Sequence, residues 1–125
     1  DRFIDASLAY QGYGRGVPLA QVKTLNKYAA AGVMPDLTLL LDVSPEVGLG
    51  MARQSEGKET KNGELDRIES AGPAFHRRVR KGYLEIARRG RRFAVVKRAR
   101  DKETTFARIV EIVRRRFPTL FGKPA

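Results

Sequence analysis

The sequence contains no cysteine. That excludes a disulfide framework and a thiolate zinc site, and it fits a reducing compartment such as the cytoplasm. There is one histidine, His76, beside Arg77 and Arg78 on a helical stretch, and it reads as a surface residue. No apolar run approaches the roughly 18 residues that a membrane span needs, and no secretory leader pattern opens the chain. Acids are few: 14 Asp and Glu stand against 25 Lys and Arg, for a net charge of +11. From Arg77 to Arg100 eleven basic residues accompany a single acid, Glu85. Such a surplus favours polyanions, whether nucleic acid, a membrane surface or phosphorylated small molecules. A phosphate loop of the form GxxxxGK[ST] is missing too. The glycine run from Gly12 to Gly16 follows a helix rather than a strand, so it reads as a flexible connector that leaves Arg15 within reach of a phosphate.

What is present suits one globular domain over residues 1–125, since 42% of the 125 residues are hydrophobic and they are spread throughout. Residues 4–12 predict a short helix stopped by the glycines. Pro18 predicts the opening of a second helix, with Leu19, Val22, Leu25 and Tyr28 as its apolar stripe. The run from Leu37 to Val43 predicts a strand buried on both faces. Ser44-Pro45-Glu46 then predicts a helix start, because Ser caps, Pro is tolerated at the first position and Glu suits the positive end. Residues 54–63 carry no apolar side chain and predict a solvated loop, part of a lid over about 52–67. A long helix is expected from Glu64 to Arg89, buried along Phe75, Val79, Tyr83 and Ile86, with Gly72-Pro73 bending or interrupting it. Phe93 to Lys97 predicts a second strand. Thr104 to Phe117 predicts a last helix with Phe106, Ile109, Val110 and Val113 inward, and a loosely held tail follows. This alternation argues for an open parallel sheet with helices on both faces. Two strands are too few for such a sheet, and the chain opens at Asp1, inside a motif. Both features predict further sequence before Asp1.

Three groups of residues could carry chemistry. Asp1-Arg2 would stand at a strand end. There Arg can donate two parallel hydrogen bonds to a phosphate, while Asp orients it or holds a water on Mg²⁺. Ser7, Tyr10 and Gln11 share a helical face at i, i+3 and i+4 and could read a base edge and a sugar. Arg53, Lys58, Lys61 and Asp66-Arg67-Ile68-Glu69 flank the lid, and a mobile lid can bring cations to a transferring phosphoryl group. Each group also has a plain reading as a solvated surface with ion pairs.

Taken together these residues resemble the thymidylate kinase family. DRFIDASLAYQGYGRG is similar to that family's signature. VKTLNKYAAAGVMPDLTLLLDVSPEVGL is similar to its next helix, strand and helix, and ELDRIES followed by FHRRVRKGYLEIA is similar to its lid exit. The resemblance covers about residues 1–113. It implies an α/β fold of the P-loop NTPase type, of which this chain is the C-terminal part, in a cytoplasmic homodimer that phosphorylates dTMP to dTDP. ATP, Mg²⁺ and dTMP would be the ligands, with no membrane or nucleic-acid partner. Arg2 would hold the dTMP phosphate, with Asp1 near the metal and the phosphates. Ser7 would lie against the thymine edge, Tyr10 beside the deoxyribose, and Gln11 would complete that pocket. Arg53 and Arg67 would close on the ATP phosphates. Two departures concern the last strand and the signature: Ala6 stands where Ser is common, and Val96-Lys97-Arg98-Ala99 replaces an acidic segment expected near adenine. Without the family's phosphate loop, the isolated chain is expected to be inactive. A basic nucleic-acid-binding module around residues 77–100 and a fragment kept only for dimerisation stand as the alternative readings.

Overall fold

The computed structural model describes residues 2–56 and 71–121, which form two compact units. Of the described residues, the first draws on 2–34, 43–56 and 71–86 and the second on 35–42 and 87–121.

The first unit opens with α1 (Ile4–Ser7), which runs directly into a π-helix (Leu8–Gly14). The predicted stop at Gly12 is therefore corrected: the helical path continues through Gly14, and Gly12 and Gly14 are buried within it. A widened turn tolerates glycine where a neighbouring helix must come close. A Cβ on Gly14 would lie 2.7 Å from Phe75 Cε2 and 2.9 Å from Val79 Cγ2. Only after Arg15 does the backbone turn out, at Gly16 with φ of 77°. The flexible connector is thus largely an ordered helix end, closed by hydrogen bonds from Arg15 N to Tyr10 O (3.0 Å) and from Val17 N to Gln11 O (2.9 Å).

α2 (Leu19–Ala30) follows and ends in left-handed conformation at Ala31 and Gly32. Its buried side runs through Val22 and Ala30, with Asn26 half-buried between them. The expected stripe fails at its far end, since Leu25 and Tyr28 are exposed, Tyr28 at 82%. Spacing by three drifts around a helix of 3.6 residues per turn, so the later members leave the face. α3 (Pro45–Glu56) starts as predicted, with Ser44 Oγ accepting from Val47 N at 3.4 Å. It extends over residues 54–56, which had been assigned to the loop. α4 (Pro73–Arg89) begins at the Gly72-Pro73 step, where Gly72 has φ of 88°. Proline suits a first helical position and glycine supplies the left-handed residue before it. The rest of the predicted loop, and residues 64–70 of the expected helix, fall outside the described residues. Phe75 and Val79 are buried with Ala9, and Tyr10, Tyr83 and Ile86 pack against them, so the predicted inner face of this helix is realised.

The second unit holds a parallel pair, β1 (Thr38–Asp42) and β2 (Phe93–Lys97), in register from Thr38 with Phe93 to Asp42 with Lys97. β1 is not buried on both faces as expected: Leu39 and Leu41 are exposed. Val96 of β2 is the buried centre of this unit. α5 (Lys102–Arg116) is capped by Asp101, whose Oδ1 accepts from Thr104 N at 2.7 Å. It turns Thr105, Ile109, Val110 and Val113 away from full exposure, whereas Phe106, expected inward, is 67% exposed. Thr105 takes the inner place because its hydroxyl accepts from Ala99 N (3.0 Å) and donates to Asp101 O (3.1 Å). No helix among the described residues is long and apolar enough to cross a membrane.

Candidate functional site

The signature residues gather on one side of the first unit. Arg2 precedes α1, and its exposed guanidinium lies over the Tyr10 ring, with Cζ 5.3 Å from the centroid. This is within the range of a cation–π contact, which orients the guanidinium over the ring face. The start of α1 is held by Asn26 of α2, whose Nδ2 donates to Ile4 O at 2.9 Å.

Tyr10 sits on the π-helix beside fully buried Ala9. Its ring is tilted 55° against Phe75 at 6.1 Å and meets Tyr83 nearly at right angles, 84° at 6.1 Å. Edge-to-face geometry of this kind places the positive ring edge against a negative face and fixes orientation as well as area. Phe75 in turn lies beneath two guanidiniums, Arg15 at 5.3 Å and Arg78 at 6.0 Å. Arg78 is tied down, its Nε donating to Gly14 O at 3.1 Å. An aromatic row is thus bordered by three arginines. Such a surface suits a ligand with a flat ring and a phosphate.

Two charged or polar groups sharpen the electrostatics. Asp5, only 7% exposed, is a buried carboxyl in the first turn of α1. Burial pushes the Tyr83 hydroxyl up to about 12, with the negative potential of Tyr10 and Asp5 adding to it and Arg2 opposing it. Tyr83 therefore stays a neutral phenol at physiological pH. His76, expected on the surface, is half-buried with its ring edge-on to Phe75 at 5.3 Å. Its Nε2 is buried with no hydrogen-bond partner among the described residues.

The structure brings Arg2 and Tyr10 together. Of the expected trio, Ser7 and Gln11 are exposed and Tyr10 is half-buried against the core. Arg53 is carried on α3. Asp1 and Arg67 lie outside the described residues, as do Lys58, Lys61, Asp66 and Glu69. Asp5, Asn26 and Arg78 escaped the sequence reading. Asp5 had a signal, an acid placed three residues after Arg2. Asn26 and Arg78 reach backbone carbonyls distant in sequence, which no local pattern reveals.

A sequence model described as thymidylate kinase matches residues 1–109. The chain is 40% identical over 114 residues to a thymidylate kinase of Bacillus cereus, covering 90% of this chain and 52% of that protein. It is 44% identical over 106 residues to one of Carboxydothermus hydrogenoformans, covering 85% of this chain and 48% of that protein. The chain spans about half the length of the curated relatives it matches. With the family model matching most of its residues and the signature arginine stacked on the signature tyrosine, the chain belongs to the thymidylate kinase family.

Proposed function

We propose that this chain forms the dTMP-binding, C-terminal part of an ATP-dependent thymidylate kinase, which converts dTMP to dTDP. The observation that carries the reading is the Arg2 guanidinium over the Tyr10 ring, within the segment that matches the family. A phosphate oxygen of dTMP attacks the γ-phosphorus of ATP in line, a new P–O bond forms, and ADP leaves with the electrons of the broken bond. Little covalent chemistry is required of the protein, so positioning and charge dominate. In this reading Arg2 grips the dTMP phosphate and Tyr10 lines the sugar. Ser7 and Gln11 lie at the open rim toward the base, and Arg53 and Arg67 reach the ATP phosphates from the lid. The β- and γ-phosphates are cradled by a phosphate loop supplied from sequence outside this chain, on the remaining strands of a P-loop fold. The enzyme works in the cytoplasm as a homodimer.

Mg²⁺ would neutralise charge on the ATP phosphates. No cluster of three or more metal-ligating side chains occurs among the described residues. Mg²⁺ is commonly held by one or two carboxylates together with phosphate oxygens and water. Asp1, the carboxylate assigned to it, is outside the described residues, so no step here is routed through the metal.

The nucleic-acid reading rests on the basic surplus alone. Tyr83 packs against the core, and Phe93 lies under Arg92 at 4.4 Å, so neither aromatic offers a bare stacking platform. The test is ADP formation dependent on both ATP and dTMP in the intact kinase and in Arg2→Ala. Losing a charge-assisted contact should cost about 1.5–3 kcal/mol in kcat/KM for dTMP. Wild-type kinetics in Arg2→Ala would remove Arg2 from the site, and the isolated 125-residue chain should show no turnover.

A further inference from the structure

We propose that Tyr83 is a positioning residue for the nucleotide site: its ring holds the Tyr10 ring, and through that ring the Arg2 guanidinium, in the orientation that meets the substrate. The inference rests on the dTMP reading above and extends it to a residue on another helix, outside the signature.

The argument starts from the backbone that carries Tyr10. A π-helix leaves its residues off the regular α-helical lattice, so neighbours on the same helix do not brace the ring in the usual way. The bracing comes from α4 instead, from Phe75 at a tilt and from Tyr83 at 84°. These two supports are not equivalent. Phe75 is itself a core residue beneath Arg15 and Arg78, and its place is secured by Gly14 and the buried core. Tyr83 is half-buried, and packs against the edge of that core. Its contact with Tyr10 is a right-angled ring pair, whose attraction depends on orientation. The Arg2 contact depends on orientation in the same way, because a cation is attracted to a ring face and not to its edge. A Tyr10 ring free to swing would therefore lose its face-on contact with Arg2. The close fit of α4 against the π-helix at Gly82, where a Cβ would stand 2.5 Å from Tyr13 Cγ, brings Tyr83 to this distance.

The experiment uses the intact kinase with Tyr83→Phe and Tyr83→Leu, and it has two arms. In the kinetic arm, Tyr83→Phe keeps the ring and stays within about twofold of wild type, whereas Tyr83→Leu raises KM for dTMP about three- to tenfold, as loss of an aromatic pair implies. KM for ATP is unchanged in both. In the second arm the protein carries 3-fluorotyrosine, and the Tyr10 fluorine resonance is assigned by its absence in Tyr10→Phe. That resonance moves in Tyr83→Leu and holds in Tyr83→Phe, with no nucleotide present. An unmoved Tyr10 resonance and an unchanged dTMP KM in Tyr83→Leu overturn the proposal, and so does an equal rise in both KM values. A wild-type protein that ignores dTMP, while the Tyr10 resonance still responds to Tyr83→Leu, supports Tyr83 as the brace and defeats only the dTMP reading.

Discussion

Gly82→Ala sets two effects of opposite sign against each other within α4. In an open helix interior, alanine is favoured over glycine by about 1 kcal/mol. At Gly82 the space is not open. A Cβ there would lie 2.5 Å from Cγ, 2.6 Å from Cβ and 2.7 Å from Cδ2 of Tyr13. Carbon atoms prefer about 3.5–4.0 Å, so three contacts are short by about 1 Å each. Rotating the Tyr13 ring relieves only part of this, because the Tyr13 Cβ is fixed to the π-helix backbone. Overpacking of a tight site costs about 1–3 kcal/mol, and involvement of a stem atom places this case near the top of that range. The clash should win, leaving a net loss of about 1–2 kcal/mol. With a urea slope of about 1–3 kcal/mol per molar, the unfolding midpoint should fall by roughly 0.5–1 M at unchanged slope. Gly50→Ala on α3 is the matched control, since no atom of the described residues lies within 4 Å of its Cβ position. It should hold or raise the midpoint, by up to about 1 kcal/mol. Tyr13 lies three residues beyond Tyr10, so Gly82→Ala should also raise KM for dTMP. A midpoint in Gly82→Ala equal to or above wild type would refute the close approach of α4 to the π-helix.

Other expectations concern specificity and titration. Tyr10→Ala in the intact kinase should lose affinity for dTMP and gain relative use of ribothymidine monophosphate, shifting the ratio of kcat/KM values by about tenfold or more, because an unpaired hydroxyl no longer has to be buried. Tyr10→Phe should keep the discrimination if the ring excludes the 2′-hydroxyl by bulk, and an unchanged ratio in Tyr10→Ala would leave Tyr10 as packing only. Tyr83, pushed up to about 12 by burial, favours the folded state fully below the ordinary tyrosine value of about 10 and loses that contribution as pH rises through about 12. Absorbance at alkaline pH should show one late tyrosine step that Tyr83→Phe removes. The Asp101 carboxyl is held below its ordinary range by the Thr104 backbone N–H and hydroxyl. Its contribution is therefore present above the unfolded value of about 3.9 and lost as pH falls through the lower folded value. Asp101→Asn should flatten the acid limb of the stability curve, and an unaltered limb would count against the cap.

Local signals determined much of this protein. Phe93 to Lys97 is a strand because a short β-branched and aromatic run suits an extended backbone. Ser44-Pro45 starts a helix because a hydroxyl satisfies a free N–H and proline lacks one to satisfy. Phe75 and Val79 lie inward because four-residue spacing keeps them on one helical face. DRFIDASLAYQGYGRG and the two later segments, in that order, together suggested the family. Tertiary structure decided which apolar faces are covered and what surrounds the site. Leu25 and Tyr28 drift off the buried side of α2, and Phe106, expected inward, remains exposed, because periodicity states that a face exists and not that a neighbour lies against it. α4 closes on this segment at Gly14, through Phe75 and Val79, contacts between residues more than sixty positions apart. The same helix sets Phe75 and Tyr83 against the Tyr10 ring, over which Arg2 lies. A sequence read at short range can name the arginine and the tyrosine, but the ring that holds them comes from a distant helix brought close by folding.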